Sequence, residues 1–286
     1  MWITALLVLA LVPVGLWFFQ SAMIYLPRRY EPTDLQGRPR LTAIPFTTDQ
    51  GSQTAFYVAP ATKGLPAVVW MFCAGNADRA ISWANFGANL PDATHGALLV
   101  DYPGYGSCEG TPTPATILAN TRAAVAALAQ HLDLPDLKTR MAVYGHSLGA
   151  AAVLQYAAVD GAQRVVLIAP FTTMMAMARR KVGWPLCLLL RHPFDNEACI
   201  RVLRERGTPV LVVHGSDDRV IPVAMGRRLA ELAGGTFIEV AGADHVEIAD
   251  EAETEVYAFM RGEAISGVHA RPPVAALSNL SLAPRP

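Results

Sequence analysis

The sequence is short of charge and has no excess of either sign. Only 16% of its 286 residues are Asp, Glu, Lys or Arg, and the formal net charge is −1. A chain that coats nucleic-acid phosphate needs a basic surface, so a nucleic-acid partner is not expected. Cysteine is scarce as well. Cys73, Cys108, Cys187 and Cys199 show no CxxC spacing, which argues against both a thiolate zinc site and a disulfide framework. A Cys187–Cys199 bridge is expected only if the domain faces an oxidising compartment. No Walker A loop is present, and "GYGSCEG" (104–110) carries Glu109 where a dinucleotide loop needs glycine. No metal and no cofactor are expected.

What the chain has instead is apolar sequence, 52% of it. From Trp2 to Phe19 only Thr4, Pro13 and Gly15 interrupt an apolar run. At about 1.5 Å per residue this run is just long enough to cross a bilayer core. No Lys or Arg precedes it, and Gln20-Ser21-Ala22-Met23 is a poor cleavage site. Residues 1–22 are therefore expected to be an uncleaved, single-pass anchor, with a cleaved signal peptide as the alternative. Arg28, Arg29, Arg38 and Arg40 follow the span; the positive-inside rule puts the remainder on the cytoplasmic side.

After a connector (23–42), residues 43–262 read as one α/β domain. "LTAIPFTTDQG" and "QTAFYVAP" form a first strand pair joined near Gly51. Short apolar strands then alternate with helices. The strands are 67–72, 96–102, 141–145, 164–170, 209–215 and 236–240. The helices are 77–90, 114–132 with Thr113 as cap, one from about Leu148, 223–232 and 246–260. This rhythm predicts a mostly parallel sheet covered by helices on both faces. Residues 171–208 are too long for a simple crossover and predict an inserted helical cap. Residues 263–286 lack periodicity and predict a disordered tail.

The chemistry starts at "GHSLG" (145–149), between an apolar strand and an alanine-rich helix. A serine between two glycines at such a junction predicts a nucleophile elbow, with Ser147 exposed at the strand end. The Leu148 N–H, at the helix N-terminus, faces developing negative charge. A serine needs a base at neutral pH. His146 neighbours Ser147 but should point away from it. His95, His131 and His192 sit at element ends or in the cap, and His269 lies in the tail. His214 ends a strand and is expected to support the following turn. His245, in "GADHVEI", follows the last strand at the sheet's C-terminal edge, where open α/β folds bind ligands. The base needs an orienting carboxylate. "HGSDDRVIP" (214–222) supplies Asp217 and Asp218, both also explicable as turn residues. The chain order Ser, Asp, His is that of the α/β-hydrolase triad.

From about Ala43 to Arg261 the chain resembles an α/β-hydrolase. More narrowly, it is similar to N-terminally anchored serine hydrolases related to the protein depalmitoylases. The likeness is carried by "GHSLG", "LLVDYPGYGSCEGTP", "HGSDDRVIP" and "GADH". It implies Asp218 as the acid, ahead of Asp217 and of Asp195 in the cap. It also implies that Asn76, after Gly75, gives a second backbone N–H to the oxyanion beside Leu148. The loop departs from the family's HGNAGN-like pattern: Ala74 replaces the His and Asp78 the second Gly. Asp78 then either weakens the oxyanion hole or is engaged by Arg79.

The activity implied is acyl transfer to water through Ser147, Asp218 and His245, on a carboxylic ester or thioester of lipidic, acyl-protein or small-molecule type. Two rivals use the same sequence: a serine aminopeptidase or acyltransferase, with Asp195 and Glu197 to receive an amine, and a non-catalytic binding protein at the membrane.

Overall fold

Strands of four to six residues that are apolar on both sides must be covered on both sides. A computed structural model describes residues 2–31, 33–35, 40–246 and 248–265, with the backbone alone described at 2–10, 249 and 250. In chain order the elements are α1 (Trp2–Ile24), β1 (Leu41–Thr48), β2 (Gly51–Val58), β3 (Val69–Cys73), α2 (Ala84–Ala88), β4 (Gly96–Val100), α3 (Pro114–His131), β5 (Met141–His146), α4 (Leu148–Asp160), β6 (Val165–Ile168), α5 (Met174–Val182), α6 (Asn196–Glu205), β7 (Val210–Gly215), α7 (Val223–Ala233), β8 (Thr236–Val240), α8 (Ile248–Glu251) and α9 (Glu253–Arg261).

The sheet order is β1-β2-β4-β3-β5-β6-β7-β8. β1 and β2 are antiparallel to each other, and β2 is antiparallel to β4. From β4 onward all neighbours are parallel. This is the α/β-hydrolase fold. Alternation along each strand divides the core in two. Met71, Val143, Leu167 and Val212 meet α3, α4, α6 and α7 on one face. Trp70, Phe72, Tyr144, Val166 and Val213 meet α2, α8 and α9 on the other.

The alanines of α4 are a packing requirement. Ala150, Ala151 and Ala152 are fully buried, and a Cβ on Gly149 would lie 1.9 Å from the Cys73 carbonyl oxygen. Only a helix without bulky side chains can start that close to the sheet. Helix α3 begins as expected, with Thr113 and Thr116 bonded reciprocally in a capping box and Pro114 in the first turn.

Several elements differ from expectation. The helix expected over 77–90 is a 3-10 turn, Ala80–Trp83, followed by five-residue α2. Asp78 holds the start of that turn through Ser82, and Gly87 lies against Ala97 with room for no Cβ. The helix expected over 246–260 breaks at Ala252, which leaves helical geometry at φ −106°, ψ 15°. Within 171–208, α6 is a crossover helix: Ile200 and Leu203 are buried in the main core. Only the stretch before it, α5 and the 3-10 turn Leu186–Leu189, stands over the site. The four cysteines are free thiols.

Among the described residues no helix is long and apolar enough to cross a membrane. The first half of the expected anchor has side chains outside the described residues. The expected tail lies outside them from 266 onward, as do positions 32 and 36–39 of the connector. The C-terminal half of α1 and the segment after it lie against the domain. Gln20 Nε2 donates to the Leu189 carbonyl at 3.1 Å, and its Oε1 accepts from the Arg191 N–H at 2.6 Å. Ser21 Oγ meets His192 Nε2 at 2.9 Å, and the Arg191 guanidinium sits 4.9 Å from the Trp17 ring centre.

Candidate active site

The site lies at the C-terminal edge of the sheet, as the topology requires. β5 delivers Ser147 on a turn too sharp for an ordinary residue: φ is +54° and ψ −114°. Its neighbours explain the two motif glycines. A Cβ on Gly145 would lie 2.4 Å from the Gly149 carbonyl oxygen, and Gly149 is pressed on Cys73. Strain of this kind persists where the surrounding packing fixes it. Here the Ser147 N–H donates to the Ile168 carbonyl at 2.9 Å, anchoring the elbow to β6.

Three loops meet at this point. Ser147 Oγ lies 3.0 Å from His245 Nε2, and His245 Nδ1 lies 2.6 Å from Asp218 Oδ2. With Nδ1–H donating to the carboxylate, Nε2 is left to accept the serine proton. Asp218 is buried, yet it is not short of donors. Its Oδ1 accepts the N–H groups of Val220 and Ile221, both at 2.8 Å. Its Oδ2 accepts from His214 Nε2 at 3.2 Å as well as from His245. Burial alone would raise the carboxyl. The bonds from His214, His245 and Ile221 outweigh it and hold the group well below the usual carboxylate range.

Asp217 instead receives the Ser216 hydroxyl at 3.1 Å and is exposed. Asp195 caps α6, accepting the Ala198 N–H at 2.9 Å. Glu197 faces Arg201 and Arg228. None of the three reaches Ser147 or His245.

Leu148 and Asn76 both line the cavity that opens at Ser147. The Leu148 N–H is at the first position of α4, where no intrahelical acceptor exists. The Asn76 side chain is a strut. Its Nδ2 donates to the Ile24 carbonyl at 2.8 Å, and its Oδ1 accepts from the Leu26 N–H at 2.9 Å and the Tyr105 hydroxyl at 2.7 Å. Asp78 is turned to other work: Oδ1 accepts the Arg79 N–H at 2.8 Å and the Ser82 hydroxyl at 2.6 Å. The Arg79 guanidinium pairs with Asp34, not with Asp78.

Two histidines do more than sequence reasoning assigned: no role was given to His146, and only support of the following turn to His214. His146 is not bonded to Ser147; its Nε2 donates to the His245 carbonyl at 2.9 Å and so holds the loop that carries His245. Burial, and then the nearby His245 ring, press its pKa down to about 4. His214, fully buried, shares its Nε2–H between the Ile221 carbonyl at 2.9 Å and Asp218. The available signal was its place in "HGSDD", at the strand end just before the acid. No sequence signal marked the Asn76 strut, because its partners are far along the chain: Ile24 and Leu26 lie 52 and 50 residues before it and Tyr105 lies 29 after.

The cavity is about 850 Å³. Much of its apolar lining comes from Leu16, Met23 and Ile24 of α1, Met174 and Met177 of α5, and Leu186 and Leu189 of the turn that follows, with Phe171, Val220 and Ile221 beside them; Arg180, Lys181 and Arg219 are its charged residues. Cys73 and Cys108 are buried and lie outside it. Burial raises both thiols, Cys108 to about 12, so neither is a nucleophile. No cluster of metal-ligating side chains occurs among the described residues.

Residues 64–195 match the model of an alpha/beta hydrolase family. The uncharacterized protein Rv2307c of Mycobacterium tuberculosis is 30% identical over 236 residues, 79% of this chain and 81% of that one. Human alpha/beta hydrolase domain-containing protein 17B is 31% identical over 132 residues, 46% of this chain and 43% of its own. A solved Pyrococcus furiosus esterase superposes with a TM-score of 0.62 at 16% identity, covering 84% of this chain and 97% of that one.

Proposed function

This chain belongs to the alpha/beta hydrolase family, and from that premise we propose that it is a serine hydrolase that cleaves carboxylic esters or thioesters with an acyl group. The supporting observation is the hydrogen-bond chain from Asp218 through His245 to Ser147, at 2.6 and 3.0 Å, at the mouth of a cavity with apolar walls.

In this proposal Ser147 Oγ attacks the acyl carbonyl carbon while its proton passes to His245 Nε2. Asp218, kept ionised by its four donors, holds the imidazole and stabilises the imidazolium. The carbonyl oxygen, now negative, takes the N–H groups of Leu148 and Asn76. Collapse breaks the C–O or C–S bond, and the leaving group departs with the proton from His245. Water then attacks the acyl-enzyme, gives its proton to His245, and the acid is released as Ser147 recovers its own.

The preference for acyl over amine-bearing substrates is supported by the lining. An aminopeptidase needs free carboxylates to receive an amine, and Asp195 and Glu197 are engaged elsewhere. Exposed Trp17, Phe18 and Phe19 on α1, with Trp184 and Leu188 on the cap, support a position at a lipid surface. There the domain, by its arginine-bearing connector, is assigned the cytoplasmic side.

The test is hydrolysis of p-nitrophenyl acyl esters by the full chain, with Ser147→Ala beside it and fluorophosphonate labelling as a second readout. Turnover and labelling that both vanish in the variant are expected. Turnover that survives it, or a wild type that neither turns over nor labels, overturns the proposal.

A further inference from the structure

The sequence presents helix α1 as an anchor, but five of its residues line the cavity: Leu16, Gln20, Ala22, Met23 and Ile24. The spacing of Leu16, Gln20, Met23 and Ile24, four, three and one, keeps those four on one face of the helix, with Ala22 at its margin. Val14 and Phe18 fall on the other side and are exposed. An anchor that only tethered the domain would have no reason to turn one defined face into the catalytic cavity.

The register of that face relative to Ser147 is set by bonds. At the lower end, the Asn76 side chain grips the Ile24 carbonyl and the Leu26 N–H at 2.8 and 2.9 Å. One turn higher, Gln20 grips the Leu189 carbonyl and the Arg191 N–H. Ile24 is thus tied to the loop beside the nucleophile. Leu16, eight residues up the same helix, lies about 12 Å further along its axis. The cap residues Leu186 and Leu189 line the same cavity, and Gln20 is bonded to the Leu189 carbonyl. Ser147, Ile24 and Leu16 thus share one cavity, with Leu16 about 12 Å along the helix from the end that is tied beside Ser147.

We infer that α1 is the measuring wall of the acyl slot and that Leu16 is a specificity-determining residue, setting how long an acyl chain the site accepts. The inference deepens the acyl-hydrolase reading and rests on it. A chain that reaches Leu16 gains apolar contact with both walls; a larger side chain there removes that space, and a smaller one extends it.

The experiment uses the full chain and a series of p-nitrophenyl esters from acetyl to palmitoyl, read as the ratio of long-chain to short-chain kcat/KM. In Leu16→Trp that ratio falls about tenfold or more, the scale set by filling a pocket with a few methylenes' worth of volume. In Leu16→Ala the optimum moves to longer chains. Val14→Ala, on the opposite face and exposed, leaves the profile of the wild type. An unchanged profile in both Leu16 variants, or an equal shift in Val14→Ala, overturns the inference while leaving ester hydrolysis intact. Failure of the hydrolase reading is distinct: no ester is turned over and Ser147 takes no fluorophosphonate. In that event the same comparison is made by calorimetric binding of straight-chain fatty acids of two lengths. Length discrimination that Leu16→Trp alters sustains the measuring wall, and discrimination that it leaves unaltered ends it.

Discussion

His214 Nε2 lies 3.2 Å from Asp218 Oδ2, the same oxygen that receives His245 Nδ1 at 2.6 Å. His214 is therefore a positioning residue for the acid. Its own ring is held by the Ile221 carbonyl, and Gly226 leaves it space, since a Cβ there would come within 2.3 Å of Nδ1. His214→Leu removes one of the four donors from a buried carboxylate. It is expected to lower kcat about tenfold and stability by about 1–3 kcal/mol. His214→Gln, which can still donate, is expected to recover part of kcat. Steady-state kinetics and urea unfolding on the three proteins decide it; equal kcat in all three would remove the positioning role.

The elbow predicts a trade between activity and stability. At φ +54°, ψ −114° Ser147 pays a cost that glycine does not. Ser147→Gly is expected to abolish ester turnover and to stabilise the fold by about 1 kcal/mol, the lower end of what such backbone strain is worth. Urea unfolding of wild type and variant measures it. A variant less stable than wild type would mean that the serine hydroxyl contributes more to the fold than the strain costs.

The Asn76 strut predicts a loss in chemistry rather than in binding. Asn76→Ala frees the loop that presents the proposed oxyanion donor from the Ile24 carbonyl. On p-nitrophenyl acetate, whose short acyl group makes little use of the α1 wall that Asn76 also holds, an expected fall of about tenfold or more in kcat, with KM little changed, follows from the worth of one misplaced donor. By contrast Asp78→Asn should change kcat less than about threefold, because the Asp78 carboxylate serves Arg79 and Ser82 in the adjoining turn. The two variants are separated by the same kinetic assay, and a larger effect at Asp78 would reverse the assignment.

Two buried groups oppose each other in their pH dependence. His146 is neutral in the fold down to about pH 4, whereas an unfolded histidine protonates near pH 6.5. Between these values the unfolded state binds the extra proton, so its contribution to stability is complete above pH 6.5 and is lost as the pH falls toward 4. Asp101 runs the other way. Burial pushes its carboxyl up to about 6, against the lowering effect of the bond from Tyr30. Between about pH 4 and 6 the folded state holds the extra proton, and stability falls as the pH rises. The two slopes largely cancel in the wild type. His146→Gln is expected to leave stability falling from pH 4 to 6, and Asp101→Asn to leave it rising. Urea unfolding at unit pH steps measures both, and parallel profiles in the three proteins would refute the pairing.

Much of the fold was legible because its signals are local. Buried parallel strands must be short and apolar, as 141–145 and 209–215 are, and a capped helix announces itself at Thr113-Pro114. The elbow was legible for the same reason: a strand, a glycine, a serine, a glycine and a small-residue helix are contiguous. Where the signal depended on packing, the sequence misled. The helix expected over 77–90 shrank to a 3-10 turn and one short helix, and α6 belongs to the core rather than to the cap, because Ile200 and Leu203 meet α4 and α7.

By itself the sequence determined which side chains are available: a strained serine, acids after β7, a histidine after β8, and an apolar N-terminal helix. Only the tertiary structure decided which acid faces His245, since Asp217 and Asp218 are adjacent and differ in direction alone. It likewise decided that His146 and His214 support the other two, and that α1 forms a wall of the cavity. Apart from His214, which stands four positions before Asp218, those relations join residues 27 to more than 100 positions apart, and no local periodicity or motif encodes a contact that only the closing of the sheet brings about.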